Sequence, residues 1–412
     1  MMNPLPTPQE SPVHEESMNR AVIHKPKDLD FAPWKQMRDS SLMLRMTPEG
    51  FFALRNTLST ARSWVRVVAF VALALQLWAS VALAQLIRSV ETIGMTVSAI
   101  DGASQFFSKV LDFEKISDFE VYGGEYEKLQ GLFGLRMRVV RMKLGAEVLE
   151  LTQYLAPEGR PIPADWRSND QAFQHIAIVV ADMDKAYQHL RAHNVRHAST
   201  APQIIPATNK AAAGIRAFYF KDPDGHYLEL TYFPQGKGDP RWQQKSDKLF
   251  LGIDHTAIAV SSTETSLRFY RDLLGMRLAG ESMNYGTEQE HLNNVAGARL
   301  RISGLRATSG PGIEFLEYLS PRNGRPAPKD TRANDIWHWQ TMLRTVDAEK
   351  TFRKFHRASG RAVSPGVAEI SEADFGFTKG FLARDPDGHG LQIGEVIQLL
   401  RTKSESHPGG AE

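Results

Sequence analysis

Asp222-Pro223-Asp224-Gly225-His226 and Asp385-Pro386-Asp387-Gly388-His389 are the same five residues at an offset of 163 positions (385 − 222). Working outward from this pair, Gly134-x-Arg136-x-Arg138 returns as Gly297-x-Arg299-x-Arg301 at the same 163 (297 − 134). Glu91-Thr92-Ile93-Gly94-Met95-Thr96-Val97-Ser98 returns as Asp254-His255-Thr256-Ala257-Ile258-Ala259-Val260-Ser261, again at 163 (255 − 92). Arg160-Pro161-x-Pro163-x-Asp165-x-Arg167-x-Asn169-Asp170 returns from Arg325 to Asp335 at 165 (325 − 160). A fixed-period self-similarity of this kind marks an internal duplication. The two halves run over residues 86–235 and 250–397, joined by the polar stretch Gln235 to Lys248.

Each half divides again. The Thr92 run corresponds to Gln174-His175-Ile176-Ala177-Ile178-Val179-Val180, and the His255 run to Trp337-His338-Trp339, both at a spacing of 83 (175 − 92 and 338 − 255). Each quarter reads as a strand, a helix and three further strands separated by Gly-rich or Asp-Pro-Asp-Gly turns. In the first quarter Phe106, Phe107, Val110 and Leu111 give the helix its apolar face. In the third, Leu267, Phe269, Tyr270, Leu273 and Leu274 do the same. The expected architecture is α+β, with four βαβββ modules.

Composition narrows the chemistry. The chain of 412 residues is 42% hydrophobic and 23% charged, as in an ordinary globular protein of two or three domains. Basic and acidic residues number 49 and 47; residues 1–84 hold 9 and 7 of them, leaving 40 and 40 in residues 85–412. A duplicated region with no net charge carries no electrostatic footprint for nucleic acid. Cysteine is absent, so there is no disulfide, no thiol nucleophile and no thiolate metal ligand. Any metal must sit on His, Asp, Glu or neutral oxygen.

Residues 1–60 are expected to form a disordered extension, with four prolines in the first twelve positions. In residues 61–84, Arg62 and Arg66 precede an uncharged apolar run, Val67 to Ala84, that ends Ala82-Leu83-Ala84. The pattern is that of a signal peptide, or of a membrane anchor if uncleaved. The expected location is therefore exported, or membrane-anchored through that one apolar helix. Residues 398–412 read as a tail.

Four βαβββ modules, an X-His-x-x-x-x-V strand opening modules, and Asp-Pro-Asp-Gly-His-x-Leu-Glu closing one resemble the vicinal oxygen chelate superfamily. That group includes glyoxalase I, extradiol dioxygenases, fosfomycin-resistance enzymes and bleomycin-binding proteins. The resemblance implies that the modules pair into two half-open β-cups, with ligands on the first and last strands of each module. Carried over, the family's ligand positions fall on Thr92, Glu150, His175 and Glu229 in the first half, and on His255, Glu314, His338 and Gln392 in the second. The expected metal ligands are Glu150, His175, Glu229, His255, Glu314 and His338. Glu150, Glu229 and Glu314 are the candidate catalytic carboxylates. Imidazole with carboxylate suits a divalent ion of Fe, Mn, Ni or Zn. Such an ion would polarise neighbouring oxygens of a small-molecule substrate.

Read half by half, Glu150, His175 and Glu229 would make a two-carboxylate site able to abstract a carbon-bound proton. His255, His338 and Glu314 would make a two-histidine, one-carboxylate site. Phe218-Tyr219-x-x-Asp222-Pro223-x-Gly225-x-x-x-Glu229 fits the end of the extradiol dioxygenase pattern, but the His expected five to seven residues before Phe218 is missing; Lys210, Ala211 and Ala212 stand there. This favours a glyoxalase-like lyase or isomerase over ring cleavage, with a non-catalytic small-molecule binding protein as the other alternative. Arg136, Arg138, Arg299 and Arg301 either line a cup or form a solvated face. His226 and His389 are expected as exposed turn residues. Tyr154 and Tyr318, each four residues past a candidate Glu, either meet substrate or pack in the core.

Overall fold

The computed structural model describes residues 86–358, 360–370 and 375–395. The extension 1–60, the apolar run 67–84 and the tail 398–412 lie outside the described residues. The first module contributes β1 (Ile87–Thr96), β2 (Glu114–Tyr122), β3 (Arg136–Leu144) and β4 (Glu147–Ala156); the second, β5 (Phe173–Val180), β6 (Arg196–His197), β7 (Gln203–Ile204), β8 (Arg216–Lys221) and β9 (Tyr227–Tyr232). The third contributes β10 (Phe250–Ala259), β11 (Arg277–Tyr285), β12 (Arg299–Arg306) and β13 (Gly312–Ser320); the fourth, β14 (Trp339–Thr345), β15 (Arg361–Ala362), β16 (Ala368–Glu369), β17 (Lys379–Arg384) and β18 (Gly390–Glu395).

These strands form two nine-stranded sheets, and each sheet draws on both halves of the chain. One runs β15-β17-β18-β14-β1-β4-β3-β2 and joins the first module to the fourth; the other runs β11-β12-β13-β10-β5-β9-β8-β6 and joins the second to the third. The seams are antiparallel, β1 on β14 and β10 on β5. Below we call them the 1/4 sheet and the 2/3 sheet.

The module helices cover the outer faces. Helix α1 (Ile100–Leu111) begins each turn toward the sheet with Ile100, Ala103, Phe107 and Val110, the i, i+3, i+7 spacing of one buried stripe. Its counterpart α2 (Thr263–Leu267) passes into a π-helical turn over Arg268–Leu273, which buries Phe269 and Tyr270 side by side. The alternation of the strands does the rest. Ile176, Ile178 and Val180 of β5 and Leu228 and Leu230 of β9 enter the core on the helix side, leaving His175, Ala177 and Glu229 on the other face.

The repeat at offset 165 has a structural purpose. Arg160 reaches the Asp that ends the second copy, with Nε 2.8 Å from Asp335 Oδ1 and Nη2 2.7 Å from Oδ2. Arg325 reaches the Asp that ends the first, with Nη2 2.6 Å from Asp170 Oδ2. Each copy thus clamps the other, and both carboxylates are buried.

The Asp-Pro-Asp-Gly-His turns differ from expectation. Gly225 and Gly388 take positive φ of 104° and 102°, as this turn requires. His226 and His389, however, are buried, not exposed. Each ring pairs with the first Asp of its own turn, His226 Nδ1 at 2.8 Å from Asp222 and His389 Nδ1 at 2.7 Å from Asp385. The second Asp of each turn holds the loop after the opening strand of another module. Asp224 accepts from Ser98 N at 2.8 Å, and Asp387 from Ser261 N at 3.0 Å. Asp222, Asp224 and His226 lie close enough together to suggest a cation site, but their polar atoms are engaged in these turn and loop bonds.

The expected location needs correction. Among the described residues no helix is long and apolar enough to cross a membrane, and the segment that prompted the export and anchor expectation lies outside them.

Candidate metal centre

The seam of the 2/3 sheet brings four of the predicted ligands together. In its register His255 sits opposite Ala177 and Ala257 opposite His175. Parallel neighbours place Glu314 beside Ala257 and Glu229 beside Ala177. The result is a local two-fold arrangement of two imidazoles and two carboxylates on one face. Glu229 Oε2 lies 3.0 Å from His175 Nε2 and 3.7 Å from His255 Nε2. Glu314 Oε2 lies 3.5 Å from His255 Nε2. One ligand atom from each of His175, His255 and Glu314 falls within 4.8 Å of the other two.

Two β-bulges aim the imidazoles. The seam register skips Asp254 on β10 and Gln174 on β5, the residue just before each histidine. A bulge bends the strand and re-aims a side chain, and here it turns the extra residue onto its neighbour's ring. Asp254 Oδ2 lies 2.9 Å from His255 Nδ1, and the Gln174 amide oxygen meets His175 Nδ1. With Nδ1 engaged, each Nε2 faces the cup, and both Nε2 atoms are buried without a hydrogen-bond partner. Unpartnered buried nitrogens beside two carboxylates are the donor set of a divalent cation, with the outer partners that orient metal-bound histidines. The residues therefore fit the metal that the fold implies.

Electrostatics agree with that geometry. Burial alone would push His255 toward neutrality, yet Glu314, Asp254 and Glu229 outweigh it and raise the imidazole to about 9. Burial and the Glu229 charge raise Glu314, with the His255 imidazole opposing them. A cation between these groups would relieve a carboxylate cluster that otherwise recruits a proton. Tyr219 packs against His175 with ring centroids 4.8 Å apart and planes tilted by 50°, and burial keeps its hydroxyl protonated.

The other two predicted ligands are elsewhere. Glu150 lies in the 1/4 sheet, beside Gly94 and opposite Arg141. The expected grouping of Glu150 with His175 and Glu229 therefore fails, because modules pair across halves and not within them. His338 fails for the same reason to join His255 and Glu314, and for a second one. The 1/4 seam pairs Gly94 with Gln340 and Thr92 with Met342, so the register equivalent of His175 is Gln340. His338 stands two residues earlier, near the Gln340 amide at 3.3 Å, and burial drives its imidazole down to about 3. The positions corresponding to the four ligands are Thr92, Glu150, Gln340 and Gln392.

Missed from sequence were Gln174, Asp254 and Gln340. The first two were signalled by a polar residue directly before each His in otherwise apolar strands. Among the arginines, Arg138 pairs with Asp118 at 2.8 Å and Arg301 with Glu264 at 2.8 Å; Arg136 pairs with Glu120 at 2.6 Å. They serve surface ion pairs. Tyr318 Oη accepts from Asn293 Nδ2 at 2.6 Å inside the 2/3 cup, and Tyr154 packs in the apolar filling of the 1/4 cup.

A family model described as "Glyoxalase/Bleomycin resistance protein/Dioxygenase superfamily" matches twice, over residues 89–230 and 252–393. A 2-epi-5-epi-valiolone epimerase from Actinomyces sp. is 33% identical over 167 residues, 39% of this chain and 87% of that one. Glyoxalase I from Saccharomyces cerevisiae is 28% identical over 138 residues, 32% of this chain and 37% of the yeast protein. Among solved structures, a glyoxalase I mutant from Zea mays aligns with a TM-score of 0.49 at 15% identity, covering 75% of this chain and 92% of that one. With both family matches spanning the four modules, the chain belongs to the glyoxalase/bleomycin resistance protein/dioxygenase superfamily.

Proposed function

We propose that this chain is a metal-dependent enzyme of the isomerase or lyase type, with one active cup, acting on a small molecule that bears two neighbouring oxygens. The observation that carries the reading is the convergence of two buried, unpartnered imidazole nitrogens with two carboxylates on one face of the 2/3 sheet. A divalent ion held by His175, Glu229, His255 and Glu314 would supply positive charge where substrate oxygens become negative.

The protein's own groups divide the remaining work. Glu229 is wedged between both imidazoles, and its side chain is only 9% exposed. It is the anchoring carboxylate. Glu314 contacts one imidazole, is 24% exposed and has the bare Gly304 across the strand pair. It has the room to receive a proton from a substrate carbon and return it. Two carboxylates, not one, favour proton relocation over ring cleavage, and the epimerase and glyoxalase among the relatives fit the same class. Glu150 takes no part.

The test is deuterium wash-in. Full-length protein is loaded in turn with Mn, Ni, Zn and Fe(II) and incubated in D₂O with a panel of α-hydroxy ketones and hemithioacetals. Metal-dependent exchange of a carbon-bound proton, lost in Glu314→Gln, is the expected result. Exchange that survives chelation and Glu314→Gln would overturn the proposal.

A further inference from the structure

The linker between the two halves does more than connect them. Its segment Pro240–Gln243 is a 3-10 turn capped by Asp239. Trp242 projects from it and donates from Nε1 to Asp254 Oδ1 at 2.9 Å. The other oxygen of Asp254 receives Arg306 Nη2 at 2.7 Å and His255 Nδ1 at 2.9 Å. Arg306 also donates from Nη1 to the Asp254 carbonyl at 2.8 Å. Both carboxylate oxygens, the backbone oxygen and the bulge itself are thereby fixed by two side chains from outside the strand.

The turn in its own right is anchored to the opposite sheet. Arg241 lies over the Trp242 ring at 3.8 Å and pairs through Nη1 with Glu147 Oε1 at 2.6 Å. Glu147 opens β4 and also accepts from Ile253 N at 3.1 Å. A Cβ at Gly252 would stand 2.5 Å from the Glu147 carboxylate and 2.9 Å from the Trp242 ring, so any larger residue there would displace one of these side chains. His175 has no such support. Its partner Gln174 is neutral and donates from Nε2 to Ser168 Oγ at 3.2 Å, with no charged partner among the described residues.

We propose that Trp242 and Arg306 are positioning residues for His255, acting through Asp254, so that the inter-half linker is a built part of the metal centre. The consequence for metal affinity rests on the metal reading above; the positioning does not. Outer partners of metal-bound histidines commonly carry about 10–100-fold in affinity. A tryptophan delivered by the linker would also tie assembly of the halves to completion of the centre.

The experiment has two arms, run on full-length parent, Trp242→Phe, Asp254→Asn and, as a control for loss of a structural indole, Trp166→Phe. The first arm uses metal-free, ¹⁵N-histidine-labelled protein and follows solvent exchange of the His255 Nδ1 proton, assigned by its disappearance in His255→Gln. Exchange at least ~10-fold faster in Trp242→Phe and Asp254→Asn, with Trp166→Phe at the parental rate, is expected. Parental exchange in Trp242→Phe and Asp254→Asn would overturn the proposal. The second arm titrates Co(II) and reads affinity and the visible absorption band. Weakening of ~10-fold in Trp242→Phe, with an altered band, is expected; parental affinity and band in both site variants would overturn the claimed effect on the metal. If the parent itself takes up no metal, the functional reading fails, and the exchange arm still decides the positioning claim.

Discussion

The two cups share the sequence repeat and the same strand order, yet among the described residues only the 2/3 cup gathers two imidazoles and two carboxylates on one face. The register allows a position-by-position comparison. Gly304 faces Glu314 across β12 and β13, where the 1/4 sheet sets Arg141 against Glu150. Ala177 flanks Glu229, where the 1/4 sheet sets Met342 beside Gln392. Tyr219 pairs with Glu229, where Leu382 pairs with Gln392. Where the 2/3 cup has two small residues the 1/4 cup has large ones, and where it has His175, Glu229 and His255 the 1/4 cup has Gln340, Gln392 and Thr92. Met342, Leu382, Tyr154, Phe375 and Phe377 accordingly close into a continuous apolar cluster across the 1/4 cup. The 1/4 seam shows no bulge at Trp339, the counterpart of Gln174. Fewer ligands, one bulge (at Glu91, the counterpart of Asp254) in place of two, and less space occur together in the 1/4 cup, while the frame that carries both cups remains symmetric.

That contrast can be broken most severely in the ligands. His175→Ala or His255→Ala should abolish metal-dependent turnover, whereas His338→Ala should leave it within about threefold of the parent once scaled to folded protein. Glu314→Gln should cost ~10²–10⁴-fold as loss of a general base, against no loss for Glu150→Gln. Space comes next. Ala177→Met transplants the filling of the inactive cup into the active one. Turnover and metal uptake should fall sharply while the protein stays folded at a cost of about 1–3 kcal/mol, since overpacking strains a core without dismantling it. Thermal unfolding and metal analysis on the same sample check both halves of that statement.

Smaller effects sharpen the comparison. Glu150, left without an imidazole partner, is raised by burial to about 7, partly offset by Arg141. A carboxyl whose folded value lies above its unfolded one stabilises the fold below the unfolded value and loses that contribution as pH rises through the folded one. The fold should therefore lose on the order of 3 kcal/mol between pH 4 and pH 8 through this group. Denaturant titrations should show Glu150→Gln gaining on the parent across that window, and a flat difference would refute the buried charge. The symmetric frame predicts near equality instead. Arg160→Ala and Arg325→Ala each take a guanidinium from a buried Asp that keeps its backbone donors and should lower stability by comparable amounts, about 1–3 kcal/mol, with Arg325→Ala the milder because Asp170 retains Arg167 at 3.1 Å.

Much of this was legible in the sequence, and the failures are instructive. The duplication and the βαβββ quarters follow from repeat spacing and motif, whereas the four residues of the candidate metal centre were named only through the family resemblance. Which modules share a sheet does not, because a repeat records that copies are alike and not which ones touch. The reciprocal clamps Arg160–Asp335 and Arg325–Asp170 express that cross-pairing, but only in three dimensions. The His338 error had a readable warning. The spacing of 83 lands on His338, but the 165 offset of the preceding motif carries Phe173-Gln174-His175 onto His338-Trp339-Gln340. Strand pairing follows the second alignment. The buried turn histidines were misread because a turn rich in Asp and Gly suggests solvent, whereas these turns are wedged between modules.

We propose that the described residues hold one metal centre per chain, on the 2/3 seam. Metal stoichiometry by mass spectrometry on protein purified with saturating metal and then desalted measures this directly, with parent, His175→Ala and His338→Ala compared. One ion per chain in the parent, none in His175→Ala and one in His338→Ala is the predicted result. Two ions per chain in the parent, or loss of the ion in His338→Ala, would contradict it.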